Sequence, residues 1–180
     1  SIRGNALKDL SPLSRLQNLE HLDLQANEVE DLSWLADLTN LKFLSLAQNN
    51  IKNLEPIAGL TNLETLGLNQ NPIESYSTLK NFSKLKLFVE GKNFNDLTVL
   101  SGLNQLEELA LWTNKNSDLS PLAGLTKLKK LQIGVVNVND PSVLKNLTNL
   151  TYLLFYNNNF TINQKVELDL ALPNTLIEYY

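Results

Sequence analysis

Apolar residues return along this chain at a fixed interval. Leu13, Leu35, Ile57, Leu79, Leu100, Leu122, Leu144 and Val166 follow one another at steps of 22, with one step of 21 between Leu79 and Leu100. A second column runs Leu16, Leu38, Leu60, Phe82, Leu103, Leu125, Leu147, and a third Leu19, Leu41, Leu63, Leu85, Leu106, Leu128, Leu150, Leu172. A unit this short cannot bury an apolar face by itself. It becomes stable by stacking on copies of itself, so the columns demand a solenoid.

Ser11 to Leu32, SPLSRLQNLEHLDLQANEVEDL, serves as one unit. Leu22 and Leu24 alternate with His21, Asp23 and Gln25, the period of a strand with one buried face. Asn27 follows, and the column continues with Asn49, Asn71, Asn114 and Asn158. An amide offers two donors and an acceptor, enough to satisfy backbone groups at a buried bend. Val29, Ile51, Ile73, Phe94, Val138 and Phe160 then point back into the core. The rest of each unit reads as a short helical or 3₁₀ turn. In Ser120-Pro121-Leu122 a capping hydroxyl precedes a proline at the first helical position, and Ser11-Pro12-Leu13 and Glu55-Pro56-Ile57 occupy the same place.

The pattern LxxLxLxxNxIxxL, at Leu19 to Leu32 and Leu41 to Leu54, resembles the leucine-rich repeat. The 22-residue length and the phrases SPLAGLTKL and PIAGLTNL are similar to the internalin-type class of bacterial surface proteins. Phosphatase-regulator repeats of eukaryotic cells share that length. The resemblance runs from Asn5 to at least Phe160. It implies an α/β solenoid with a concave parallel β-sheet and short 3₁₀ or α segments on the convex side. Residues 1–180 are expected to form one domain: a partial first repeat over 1–10, full repeats over about 11–163, and a degenerate repeat over 164–180 in which the pattern lapses after Leu172. No distinct N-terminal cap is visible and Met is absent, so the expectation is a segment of a longer protein or a minimal array.

Composition narrows the function. The 180 residues carry a net charge of −4 with only 15 Lys and Arg, so a basic nucleic-acid footprint is missing. No apolar run has membrane-spanning length. Cysteine is absent, which removes disulfides, thiolate metal sites and cysteine nucleophiles. With His21 as the single histidine and no glycine-rich phosphate loop, nothing suggests an enzyme, a metal or a cofactor. Sequons at Asn81, Asn146, Asn149 and Asn159 arise from the repeat's own N-L-T runs.

Function is therefore sought on the outward strand positions. These include Phe43, Trp112, Gly134, Tyr152, Leu154 and Tyr156. Trp112 and Tyr156 fall two strands apart, about 10 Å, with Gly134 between them, which suggests a slot with aromatic walls and a bare floor. Tyr and Trp are favoured at binding hot spots, although apolar residues near the C-terminus could equally pack under a cap or a following domain. Glu20, Asp23, Glu28, Glu30 and Asp31 form an acidic end, and Lys127, Lys129 and Lys130 a basic spot. Either could steer a partner or simply be solvated surface.

The 21-residue step falls in KLKLFVEGKNFNDL, Lys84 to Leu97. Turning Phe88 and Glu90 inward would bury a carboxylate. The alternative removes a residue just after Leu85, turns Leu87 and Val89 inward, and sends Lys86, Phe88 and Glu90 outward, with Lys92 at the Asn position; this is the preferred register. Phe88 then joins the candidate face. The expected role is protein recognition by a monomeric, extracellular or surface-exposed bacterial module, with a host or cell-surface protein as a partner. The alternatives are a cytoplasmic scaffold or regulator, and an architectural spacer.

Overall fold

The computed structural model describes residues 1–180 apart from 91–93, 113–117, 135–137 and 139, and describes Glu90 by its backbone alone. Strands β1 (His21–Asp23), β2 (Phe43–Ser45), β3 (Thr65–Gly67), β4 (Leu87–Glu90), β5 (Glu108–Trp112), β6 (Lys130–Gly134), β7 (Tyr152–Tyr156) and β8 (Leu176–Tyr179) form one open parallel sheet in sequence order. Short 3₁₀ turns such as Ser33–Leu35 and Ser77–Asn81 return the chain between strands, and helix α1 (Ile162–Ala171) does so before β8. The leucine columns lie between sheet and turns, with Leu35, Leu38, Leu41, Leu44 and Leu46 fully buried in one unit. The columns loosen at the N-terminal end, where Leu13 is half-buried and Leu16 exposed.

Each strand is short because a polar bend cuts it off. Asn49 shows how. Its Oδ1 accepts from the Val29 amide at 3.0 Å, and its Nδ2 donates to the carbonyls of Leu24 and Leu46 at 3.0 and 2.9 Å. Asn71 repeats this with Ile51, Leu46 and Leu68, and Asn27 with Leu7, Ile2 and Leu24. One amide thus ties two successive coils together and leaves none of these buried backbone groups unpaired. The preceding residue takes the left-handed conformation, at Ala26 (φ 58°), Gln48 (φ 57°) and Gln70 (φ 60°). Asn158 is only half-buried and, among the described residues, holds a single 3.5 Å bond, from Phe160. Asn114 and Lys92 lie outside the described residues.

The 3₁₀ turns are capped differently from expectation. Ser120 is the first residue of its turn, and its amide and hydroxyl both donate to Asp118, at 2.8 and 2.9 Å. Asp9, Asp31, Asp96 and Asp140 accept the equivalent amides of Ser11, Ser33, Thr98 and Ser142. The signal was an Asp two positions before the capped amide in five units, with Asn53 and Ser75 in that place before Glu55 and Ser77.

Phe88 corrects the register expected for the irregular unit. It pairs with Leu66 on one side and Leu109 on the other, and is fully buried. Its ring meets Phe94 edge-on at 5.6 Å, and Phe94 meets Tyr76 at 4.7 Å. Leu87 and Val89 instead face outward, half-buried. The ladder holds the 22-residue spacing to β3 from Leu87 to Val89, and Phe94 is back on its column 21 residues after Ile73. The missing residue therefore falls between Val89 and Phe94. Lys86 is exposed, but it stands before the strand beside Glu64, and Leu87 takes the outward strand place expected for it.

The last unit also differs. Val166 is half exposed, because α1 is a full helix and turns Leu168 inward instead. A capping box closes its start, with the Thr161 hydroxyl accepting from Gln164 N and Gln164 Oε1 accepting from Thr161 N. The pattern does not lapse after Leu172: Leu176 pairs with Tyr152, 24 positions back, and β8 extends the sheet. The two extra residues conceal the strand from a 22-residue template.

Candidate partner-binding face

Three outward columns cross the sheet. The strand registers give His21, Phe43, Thr65, Leu87, Glu108, Lys130, Tyr152 and Leu176 in the first, and Asp23, Ser45, Gly67, Val89, Ala110, Gln132, Leu154 and Glu178 in the second. The third contains Trp112, Gly134 and Tyr156. Tyr180 extends this third column, since its amide bonds to the Phe155 carbonyl and its own carbonyl accepts from Asn157. The face divides in two. Strands β1 to β3 present small or polar groups except Phe43, which stacks on His21 at 6.0 Å. Strands β4 to β8 present mostly aliphatic and aromatic groups.

Trp112 and Tyr156 come together, but the slot between them is filled. The indole lies on the Gly134 backbone and its ring centroid is 5.8 Å from that of Tyr156. Tyr156 stacks in turn on Tyr180 at 5.4 Å and 18°. Gly134 is therefore a buried seat for the indole, and a partner cannot touch it. Trp112 is half-buried, while Tyr156 and Tyr180 are 42% and 63% exposed. The row of rings is continuous and already packed.

Tyr152 is half-buried and donates to Glu178 at 2.7 Å. That hydrogen bond is the main reason its phenol is pushed up to about 12. Leu154 faces the same side as Glu178 but is only 8% exposed, so it supports the surface more than it displays area. Phe88 is inside and drops out of the face; Leu87 and Val89 take its place. They line a shallow depression of about 100 Å³ with Glu108, Ala110, Lys130 and Gln132. Leu87, Val89, Leu176 and Tyr180 were missed by the sequence reading: the first two through the register error, the others because β8 was not recognised as a strand.

The charges that looked clustered in sequence are distributed in space. Glu20 pairs with Lys42 at 2.9 Å, Glu64 with Lys86 at 2.7 Å and Glu107 with Lys129 at 2.6 Å. These six residues form one column beside the strand starts, alternating in sign. Hydrogen bonds from their lysine partners hold the Glu64 and Glu107 carboxyls below the usual range, and Glu64 raises Lys86. Glu108 pairs with Lys130 at 2.9 Å, and Lys127 bonds to Gln105 at 2.6 Å. Among the described residues, no three His, Cys, Asp or Glu gather as a metal site, and no helix is long and apolar enough to cross a membrane.

Comparisons with known proteins agree with this architecture. The family model described as leucine-rich repeats (two copies) matches residues 1–37 and 39–81. No curated protein matches the chain. Among solved structures, an internalin C2 from Listeria monocytogenes is 28% identical with a TM-score of 0.89, over 100% of this chain and 79% of that one. The internalin inlF of the same species is 25% identical with a TM-score of 0.79, over 98% of this chain. The chain spans 58% of the inlF structure's length. A leucine-rich-repeat protein of Leptospira interrogans, 23% identical with a TM-score of 0.79 over 98% of this chain and 53% of that one, shares the fold.

Proposed function

Because the chain is a leucine-rich-repeat protein of internalin-like build, we propose that it is a non-enzymatic recognition module whose sheet face holds a protein partner. It acts at a bacterial surface or after secretion. The observation that carries this reading is the row Trp112, Tyr156 and Tyr180, packed ring on ring and still partly exposed on the sheet. Preformed aromatic area binds at little cost in ordering, because the rotamers are already fixed. Tyr152, held by Glu178, and Leu87 and Val89 widen the contact area, and Phe43 marks a separate contact on the polar half.

An apolar half-face of this extent also favours recognition over a spacer role, since large exposed apolar patches on soluble proteins mark interfaces. The protein acts as a monomer, with a host or cell-surface protein as its partner. The test is a display selection of candidate partners on the folded protein, followed by titration of Trp112→Ala and Tyr156→Ala. The reading expects each variant to lose about 2 kcal/mol of binding, the scale of a hot spot. A partner that binds both variants as tightly as the unaltered protein would remove this face from the account.

A further inference from the structure

The charged groups around the apolar half-face show what kind of partner surface fits it. The column Glu20, Lys42, Glu64, Lys86, Glu107, Lys129 alternates in sign along the edge of the sheet. Successive members stand on neighbouring strands, about 4.8 Å apart. That spacing is well inside a Debye length of about 8 Å at physiological salt. Opposite charges so close cancel one another's field before it reaches an approaching molecule.

On the face itself, Glu108 is bound to Lys130 at 2.9 Å and Glu178 accepts the Tyr152 hydroxyl at 2.7 Å. Lys129, which looked like part of a basic spot, is bound to Glu107. The described charged side chains bordering β5 to β7 on this side thus have hydrogen-bond partners, although Glu178, held by a phenol, and Lys127, held by the Gln105 amide, keep their charges, which are opposite in sign. The rest of that area is mostly hydrocarbon and ring, from Leu87, Val89, Trp112, Tyr156, Leu176 and Tyr180, with the Gln132 amide among them.

These exposed pairs are weak, so they offer a charged partner little, and a charge seated on the apolar rows would be desolvated without compensation. An uncharged apolar segment meets no such cost. We propose that the half-face formed by β4 to β8 takes an uncharged, aliphatic or aromatic segment of a protein partner, and that docking proceeds without electrostatic steering. This rests on the reading of the face as a protein-binding surface and adds the chemistry of what it binds.

The probe is a phage-displayed library of random 12-residue peptides, selected on the intact protein. Enriched peptides are synthesised and titrated by fluorescence polarisation between about 50 and 500 mM NaCl, where screening of exposed charges changes most. The proposal expects uncharged apolar sequences, an affinity that changes less than about twofold with salt, and a loss of about tenfold or more in Trp112→Ala. Lys129→Gln, which breaks the alternation away from the rings, leaves that affinity unchanged. Enrichment of acidic or basic peptides whose affinity depends on Trp112 and falls steeply with salt overturns this inference but keeps the binding face. Peptides indifferent to Trp112→Ala, or no enrichment above a scrambled-surface control, contradict the binding face itself.

Discussion

Gly134 and Trp112 occupy one space: a methyl group built on Gly134 would lie 2.1 Å from Cε3 of the indole and 2.6 Å from Cζ3. The ring can sit flat on the sheet only because residue 134 has no side chain. Gly134→Ala is expected to lift the indole off the sheet and away from Tyr156. Steady-state fluorescence with acrylamide quenching checks this, because the other tryptophan, Trp34, is buried and bonded to the Asp31 carbonyl at 3.0 Å. The variant should show red-shifted, more quenchable emission while far-UV circular dichroism stays unchanged. An unaltered spectrum would mean the indole is seated by other contacts.

Phe88 decides the register of β4. Removing a fully buried phenyl ring leaves a cavity, so Phe88→Ala should cost about 3–5 kcal/mol in urea unfolding. Leu87→Ala and Val89→Ala, on the open face, should cost about 1 kcal/mol or less. The opposite order would restore the register in which Phe88 faces outward.

That register shows where sequence reasoning fails. The leucine columns, the Asn bends and the strand period were all legible, because each repeats often enough to outvote local noise. The irregular unit was misread by weighing one carboxylate, Glu90, against two aliphatic residues. The ladder to Leu66 and Leu109 binds β4 as a unit, and the deletion falls between Val89 and Phe94. Pairwise packing was also invisible: nothing in the spacing says that the indole of Trp112 closes over Gly134.

The Asn bends should differ in worth. Asn49→Ala strips three buried backbone groups of their partner, each costing about 1–3 kcal/mol, and should destabilise the array by about 3 kcal/mol or more. Asn158→Ala, half-buried with one long bond among the described residues, should cost about 1 kcal/mol or less. Urea unfolding of the two variants measures both.

Left-handed backbone at Ala26 predicts a change of the other sign. An L-residue there costs about 1–2 kcal/mol, and glycine's larger unfolded-state entropy returns part of it. Ala26→Gly should stabilise by about 0.5 kcal/mol. A lower unfolding midpoint would show that the alanine methyl makes contacts worth more than the strain.

The turn caps give the stability a dependence on acid. The Ser33 hydroxyl and amide lower the Asp31 carboxyl, and the amides followed by the hydroxyls of Ser120 and Ser142 lower Asp118 and Asp140. A folded-state pKa below the unfolded value of about 3.9 contributes stability that is complete above that value. The contribution is lost as pH falls through the lower folded value. Asp31→Ala, Asp118→Ala and Asp140→Ala together should flatten the fall in thermal midpoint between about pH 5 and 2. A slope identical to the unaltered protein would place the acid sensitivity elsewhere.

The central claim is that Trp112 and its neighbours form the surface that holds a protein. Isothermal titration of a selected partner against the unaltered protein, Trp112→Ala and Lys145→Ala tests it most directly. Lys145 pairs with Glu167 on the turn side, away from the sheet face, and serves as the control. The account predicts about a thirtyfold loss of affinity for Trp112→Ala, the equivalent of about 2 kcal/mol, and none for Lys145→Ala. Equal affinity for Trp112→Ala and the unaltered protein, with both folded, would contradict it.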